Sequence, residues 1–378
     1  MNLERDLIAL FQWLHQHPEL GHEELRTTQK LREILTNEGI EILENDLKTG
    51  LIARVRGKGP GRIIGLRCDI DALPIQEETD LPYASQNSGV MHACGHDAHA
   101  TIMLGAAILL NRTRDQWSGE VKIVFQPAEE KANGALSVVE TGQLRDVEQF
   151  IGVHTYPFFP AGKLGIKEGP VMAAVDFFTI TVRGLGAHAA MPHRGVDPIV
   201  ASAAIIAGLQ TVVSRTVDPF APAVVSVSHV EAGTTWNILP ETAFMEGTVR
   251  SFDPAVRDQI RGRMEELIHQ IAGAYGTEAE FVWHTGPAAV INDAKLCEIA
   301  RSVAREEGLE IGVQENGMGG EDFSAYLANC PGIFIRVGTG GEHPTHHCGF
   351  TVDTTALYPA AKFFAHMATR LLNEPYDR

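Results

Sequence analysis

Val121-Lys122-Ile123-Val124-Phe125-Gln126-Pro127-Ala128-Glu129-Glu130 is a largely apolar run that stops at a proline and then presents two adjacent carboxylates. Such a run suits a strand buried on both faces of a mainly parallel sheet. Residues 63–66 and 150–153 read the same way, each bounded by Gly, Pro or charge. Between the runs lie helical stretches at 98–110 and 134–140. Ahead of them, Leu3, Leu7, Leu10, Phe11 and Leu14 form a helical stripe that ends before His17-Pro18. Strand and helix in alternation predict an α/β fold with a mainly parallel sheet.

The pattern changes after Gly169-Pro170. Residues 175–182, 224–230 and 244–249 read as longer β-branched strands, interrupted by helices at 198–213 and 254–274. After Gly286-Pro287 the chain returns to helix at 295–307, a buried strand at 333–337 and a final helix at 357–372. At 378 residues the chain exceeds the size at which one core keeps growing. We therefore expect a discontinuous catalytic domain, 1–174 with 288–378, carrying an inserted α+β sandwich at 175–287 that acts as a lid or dimerisation domain.

A 44% hydrophobic and 21% charged composition is that of a folded globular protein. The formal net charge of -17 argues against nucleic acid or an anionic membrane as partner, since both reward clustered Lys and Arg. The opening Met1-Asn2-Leu3-Glu4-Arg5-Asp6 carries no apolar stretch of secretory length, and apolar runs such as 100–110 fall short of a span of ~20 residues. A cytoplasmic location is the expectation. Five cysteines without a C-x-x-C pair give neither a disulfide framework nor a zinc-finger node.

Chemistry concentrates in His92-Ala93-Cys94-Gly95-His96-Asp97-Ala98-His99, just before a helix. Thiolate, imidazole and carboxylate are ligands of borderline transition metals, and a glycine lets neighbouring side chains converge. Taken alone, the cluster also reads as a metal-free histidine-rich helix start. In an extended backbone Glu129 and Glu130 point to opposite sides, so one can bind metal while the other faces water or substrate. Taken alone, the pair also reads as a solvated acidic loop. His154 ends the next buried strand, where sites of open α/β sheets lie.

Seven segments together resemble the dimetal amidohydrolases, the metallopeptidase-type family of bacterial aminoacylases, hippurate hydrolase, N-acetyldiaminopimelate deacetylase and plant indole-acetyl-amino-acid hydrolases. They are His15-Gln16-His17-Pro18-Glu19-Leu20, residues 69–75, residues 92–97, residues 126–130, Gly186-Ala187-His188-Ala189-Ala190-Met191-Pro192-His193, Gly247-Thr248-Val249-Arg250 and Gly320-Glu321-Asp322-Phe323. The resemblance implies two divalent metal ions held by Cys94, His96, Glu130, His154 and a late histidine, with Glu129 as catalytic acid/base. For the late histidine we take His346, with His347 and Cys348 as alternatives. Zinc, manganese, cobalt and nickel all accept this ligand set.

By the same resemblance His188 reaches a partner subunit's site and polarises the scissile carbonyl. Asn237 donates to the same oxyanion, and Arg250 clamps the substrate carboxylate. His15, His17, Asp69, Asp71, Glu321 and Asp322 are expected to support the site from behind. The activity implied is hydrolysis of the amide bond of a small N-acyl amino acid by a homodimer or higher homo-oligomer. An exopeptidase with the same metal centre, a non-catalytic binder of metals or amino-acid conjugates, and a thiol-redox protein built on Cys94 are the competing readings.

Overall fold

The computed structural model describes residues 2–374. The chain forms two compact units. The first takes in the chain up to Val171, Ile291–Glu315, and the chain from Asp322 onward; the second is Met172–Val290 with Asn316–Glu321. No composition shift marks the short segment 316–321 as part of the second unit.

The first unit is built on an eight-stranded sheet. Its order is Glu41–Ile42, Leu51–Arg56, Glu120–Gln126, Ile63–Asp69, Gln149–Tyr156, Gly332–Gly338, Leu164–Gly165, Ile311–Gly312. The four strands from Glu120–Gln126 to Gly332–Gly338 run parallel to their neighbours. Leu51–Arg56 and Leu164–Gly165 flank them antiparallel. All four parallel strands therefore end at the same edge, which delivers Asp69, Gln126, His154 and Gly338 to one region.

One face of this sheet is covered by the helix His96–Arg112, whose residues are buried on almost every side, with Leu3–Gln16 and Leu357–Asn373 packed over it. A helix apolar all round belongs in such a middle layer. The other face carries the short helix Gly134–Glu140 and the 3-10 turn Asp322–Ala328, beneath which Phe323 packs on Phe334 and Tyr326 on Phe150.

The second unit is a four-stranded antiparallel sheet in the order Ala223–Ala232, Thr242–Ser251, Ala174–Arg183, Glu278–Thr285. Phe178, Ile180 and Val182 alternate onto its buried face, where they meet helices Pro198–Thr216 and Pro254–Ala274. Both helices open on Asp-Pro. Asp197 and Asp253 cap the first backbone N–H groups, and proline fills a position that needs no donor. Pro198–Thr216 corrects one sequence expectation: at 19 residues and mean hydropathy 1.4 it is long and apolar enough to cross a membrane. Its buried Ala201, Ile205, Leu209 and Val212 recur at helical spacing and pack into the core of this unit, as in an amphipathic helix on a sheet.

Candidate metal centre

The edge where the parallel strands end collects the candidate chemistry of the first unit. Cys94 and His96 arrive from the entry to helix His96–Arg112. Between them Gly95 holds φ 86°, and a Cβ there would lie 2.7 Å from the Thr155 side chain. Only glycine combines that conformation with that approach. His154 comes from the end of its strand, and its Nε2 lies 3.5 Å from Cys94 Sγ. Cys94, His96 and His154 bring one ligand atom each within 4.8 Å of one another, as do Cys94, Glu130 and His346, so two overlapping groups share the thiol.

The imidazoles are aimed by their outer nitrogens. His96 Nδ1 contacts Asp71 Oδ1 at 3.1 Å, and His154 Nδ1 donates to the Thr155 carbonyl at 2.8 Å. Both Nε2 atoms are left for the centre, which is how ligating histidines are usually fixed. His96 Nε2 is buried and has no hydrogen-bond partner among the described residues. Burial alone pushes His96 down, but Asp69, Cys94 and Asp71 outweigh it and hold the imidazole well above its ordinary pKa. The surroundings thus demand positive charge. Burial and the neighbouring His99 keep His154 well below its ordinary value, hence neutral and able to offer a lone pair. Burial also pushes the Cys94 thiol up, and a bound cation reverses that by binding the thiolate. An orphaned buried nitrogen beside thiol, imidazole and carboxylate donors fits a divalent cation.

Glu129 and Glu130 correct the extended reading. They lie in a 3-10 turn, Glu129–Lys131, entered through Ala128 in the left-handed conformation, and both fall within 4.8 Å of a His96 ligand atom. They therefore do not point to opposite sides; the turn presents both to the same region. Glu130 Oε1 lies 3.3 Å from His346 Nε2, and this contact raises the His346 pKa. His347 and Cys348 are engaged elsewhere. His347 stacks on His343, and the Cys348 thiol donates to Glu78 Oε2 at 3.2 Å.

Behind the ligands lies a network of which sequence reasoning saw only part. Arg67 is wholly buried. It donates to Asp69 Oδ2 at 2.7 Å, Gln126 Oε1 at 2.8 Å and Asp322 Oδ1 at 2.9 Å. Asp69 Oδ1 receives His99 Nδ1 at 2.5 Å, and His99 Nε2 accepts the Thr155 N–H at 2.7 Å, next to His154. A guanidinium is thereby linked through a carboxylate and a neutral imidazole to the backbone that carries a candidate ligand. Two signals for these residues were present: an arginine inside the apolar strand 63–69, and a histidine three residues after His96 on the same helix face. His15 holds Asp97, beside His96, at 2.6 Å. His17 does not join this network; its Nδ1 lies 2.6 Å from the Trp13 carbonyl and its ring stacks on Trp13.

His188, Asn237 and Arg250 belong to the second unit. His188 sits in a two-residue strand paired with Ile238–Leu239, and Ala189 N–H donates to the Asn237 carbonyl at 3.0 Å. His188 Nδ1 accepts from Ala190 N–H at 3.0 Å, which leaves Nε2–H on an exposed ring as a donor. Arg250, in strand Thr242–Ser251, donates to the Val249 carbonyl and contacts the Thr248 hydroxyl, and burial lowers its pKa.

Residues 65–370 match the model of peptidase family M20/M25/M40. The chain is 45% identical over 371 residues to an N-acetyl-L-cysteine deacetylase of Bacillus subtilis strain 168, covering 98% of this chain and 89% of that protein. It is 43% identical over 291 residues to an N-acyl-L-amino acid amidohydrolase of Geobacillus stearothermophilus, covering 77% of this chain and 79% of that one. Among solved structures, a dinuclear metal-binding peptidase of the M20 family from Bacillus subtilis superimposes with a TM-score of 0.90 at 43% identity, over 98% of both chains.

Proposed function

The chain belongs to peptidase family M20/M25/M40, and from that premise we propose that it is a metal-dependent amidohydrolase that splits N-acyl amino acids into a carboxylic acid and a free amino acid. The observation that carries the proposal is the meeting of thiol, imidazole and carboxylate donors at one sheet edge, with a further carboxylate, Glu129, beside them.

Cys94, His96, His154, Glu130 and His346 would hold two divalent cations, which when bound acidify water and polarise a carbonyl. In this reading Glu129 takes the proton from the attacking water as the amide carbon becomes tetrahedral, and then returns it to the departing amine. Asp71 and the Thr155 carbonyl keep the His96 and His154 rings turned so that Nε2 faces the centre. Thiol and imidazole donors favour zinc, manganese, cobalt or nickel over magnesium or calcium.

His188 and Asn237 would donate to the developing oxyanion and Arg250 would pair with the substrate carboxylate. Presentation of His188 by a partner subunit is supported by its exposure and by the apolar side chains exposed around it in the second unit. Trp236 is 91% exposed and Ile238 56%, and Met191, Ile199 and Val200 are exposed too.

Glu129→Gln tests the reading. Two-ion content should persist while turnover of N-acetyl amino acids falls by at least the ~10²–10⁴-fold of a lost acid/base. Retained turnover would remove Glu129 from that role. A dipeptide panel run alongside separates exopeptidase from deacylase, because the preferred class shows the larger kcat/KM.

A further inference from the structure

Glu24 is a fully buried carboxyl that the chemistry above does not use. It sits just ahead of helix Leu25–Asn37, yet its Oε1 accepts a hydrogen bond of 2.8 Å from the backbone N–H of Ala128. Ala128 immediately precedes Glu129 and holds φ 52° and ψ 40°, a left-handed conformation that a residue with a Cβ seldom adopts without outside support. On the other side of Glu129, the Glu130 N–H donates to Asp71 Oδ2 at 3.0 Å. Glu129 therefore hangs between two backbone amides, each held by a buried carboxyl.

The two anchors differ in what they connect. Asp71 also holds His96, so it ties the turn to the candidate ligands. Glu24 ties it to the outer helix: its own carbonyl accepts from Thr28 N at 3.0 Å and from Thr28 Oγ1 at 2.6 Å, and that hydroxyl accepts from Gly50 N. The turn has little room to readjust. A Cβ on Gly21 would stand 3.0 Å from Ala128 Cα, and one on Gly134 would stand 1.7 Å from the Pro127 carbonyl oxygen.

We propose that Glu24 is a positioning residue: by fixing the left-handed Ala128 it aims the Glu129 carboxylate, while itself touching neither substrate nor metal. The proposal rests on the reading of Glu129 as acid/base. Displacing a catalytic group by about 1 Å typically costs on the order of 10²-fold in rate, which sets the scale of the effect.

The test compares three variants of the metal-loaded enzyme on an N-acetyl amino acid, reading kcat and KM, the pH profile of kcat, metal content and Tm. Glu24→Met keeps most of the volume and removes the acceptor. Its kcat should fall by roughly 10–100-fold, with KM within about threefold, both ions retained, and the acid limb of the pH profile displaced. Glu24→Gln keeps an acceptor oxygen for the Ala128 N–H, so kcat and profile should return to within about threefold of the parent. If Glu24→Met does not accumulate as folded protein, Glu24→Asp, which withdraws the carboxyl by one methylene, should show the same selective loss. Unchanged kcat in Met and Asp variants, metal lost in step with activity, or equal losses in Gln and Met variants would each overturn the proposal. Glu129→Gln run in parallel keeps the two questions apart, because turnover retained there defeats the acid/base reading whatever the Glu24 variants do.

Discussion

Replacing Arg67 by methionine should destabilise the first unit far more than its distance from the candidate ligands implies. The side chain is wholly buried and donates to Asp69, Gln126 and Asp322 over 2.7 to 2.9 Å. Methionine fills most of the volume and supplies no charge. Asp69 keeps His99, and Asp322 keeps Gln126 Nε2 at 2.8 Å and the Ala135 N–H at 2.9 Å, but both carboxylates lose their cation in a region without water access. Breaking a buried pair from one side costs about 3–5 kcal/mol. At ~2–4 °C per kcal/mol for a unit of this size, the Tm should drop by roughly 6–20 °C.

Calorimetry of metal-stripped protein is the assay, because bound ions would add their own stabilisation. The deficit also carries a pH signature. Burial already raises the Asp322 pKa while Arg67 holds it down, so without the arginine the carboxyl takes up a proton more readily as pH falls. A protonated Asp322 needs no counter-charge, and the gap between variant and parent should narrow from pH 8 to pH 5. A Tm within about 2 °C of the parent at pH 8 would refute the claim that Arg67 is the cation these carboxylates depend on.

Two further outcomes follow from other parts of the structure. Burial alone lowers the His15 pKa, but Asp97 and Glu77 outweigh it and raise it to about 9. Its stabilisation, roughly 3 kcal/mol, is therefore fully present below about pH 6.5 and is lost as pH rises through about 9; His15→Gln should flatten that alkaline decline in denaturation curves, and an unchanged decline would count against it. If a partner subunit supplies His188, inactive Glu129→Gln and His188→Ala chains mixed in equal amounts and allowed to exchange subunits should recover about a quarter of parental activity, since half the dimers are then hybrids with one of their two sites intact. No recovery, or full activity in His188→Ala alone, would exclude a role across subunits.

Much of this protein was legible along the chain because its elements announce themselves locally. Residues 150–153, and 121–125 apart from Lys122, lack polar side chains, and the structure buries them as central parallel strands. Helix Pro254–Ala274 keeps the limits its periodicity predicts. Less visible were helix Leu25–Asn37, whose buried stripe is two threonines and two leucines, and strand Leu51–Arg56, where Arg54 and Arg56 alternate with apolar residues at the antiparallel side of the sheet. Local hydrophobicity is weak in both, and long-range packing decides them.

The same division holds for the candidate site. Residue types and spacing in 92–99 and 126–130 determined which side chains are fit to bind metal, since donor chemistry is a property of the residue itself. Only the tertiary structure decided that Glu129 and Glu130 share a turn facing one region, and that the Ala128 amide rests on Glu24. It alone joined Arg67 to Asp322, 255 positions away. Such contacts depend on where parallel strands end and on which buried polar groups need partners, and neither is encoded within a few neighbouring residues.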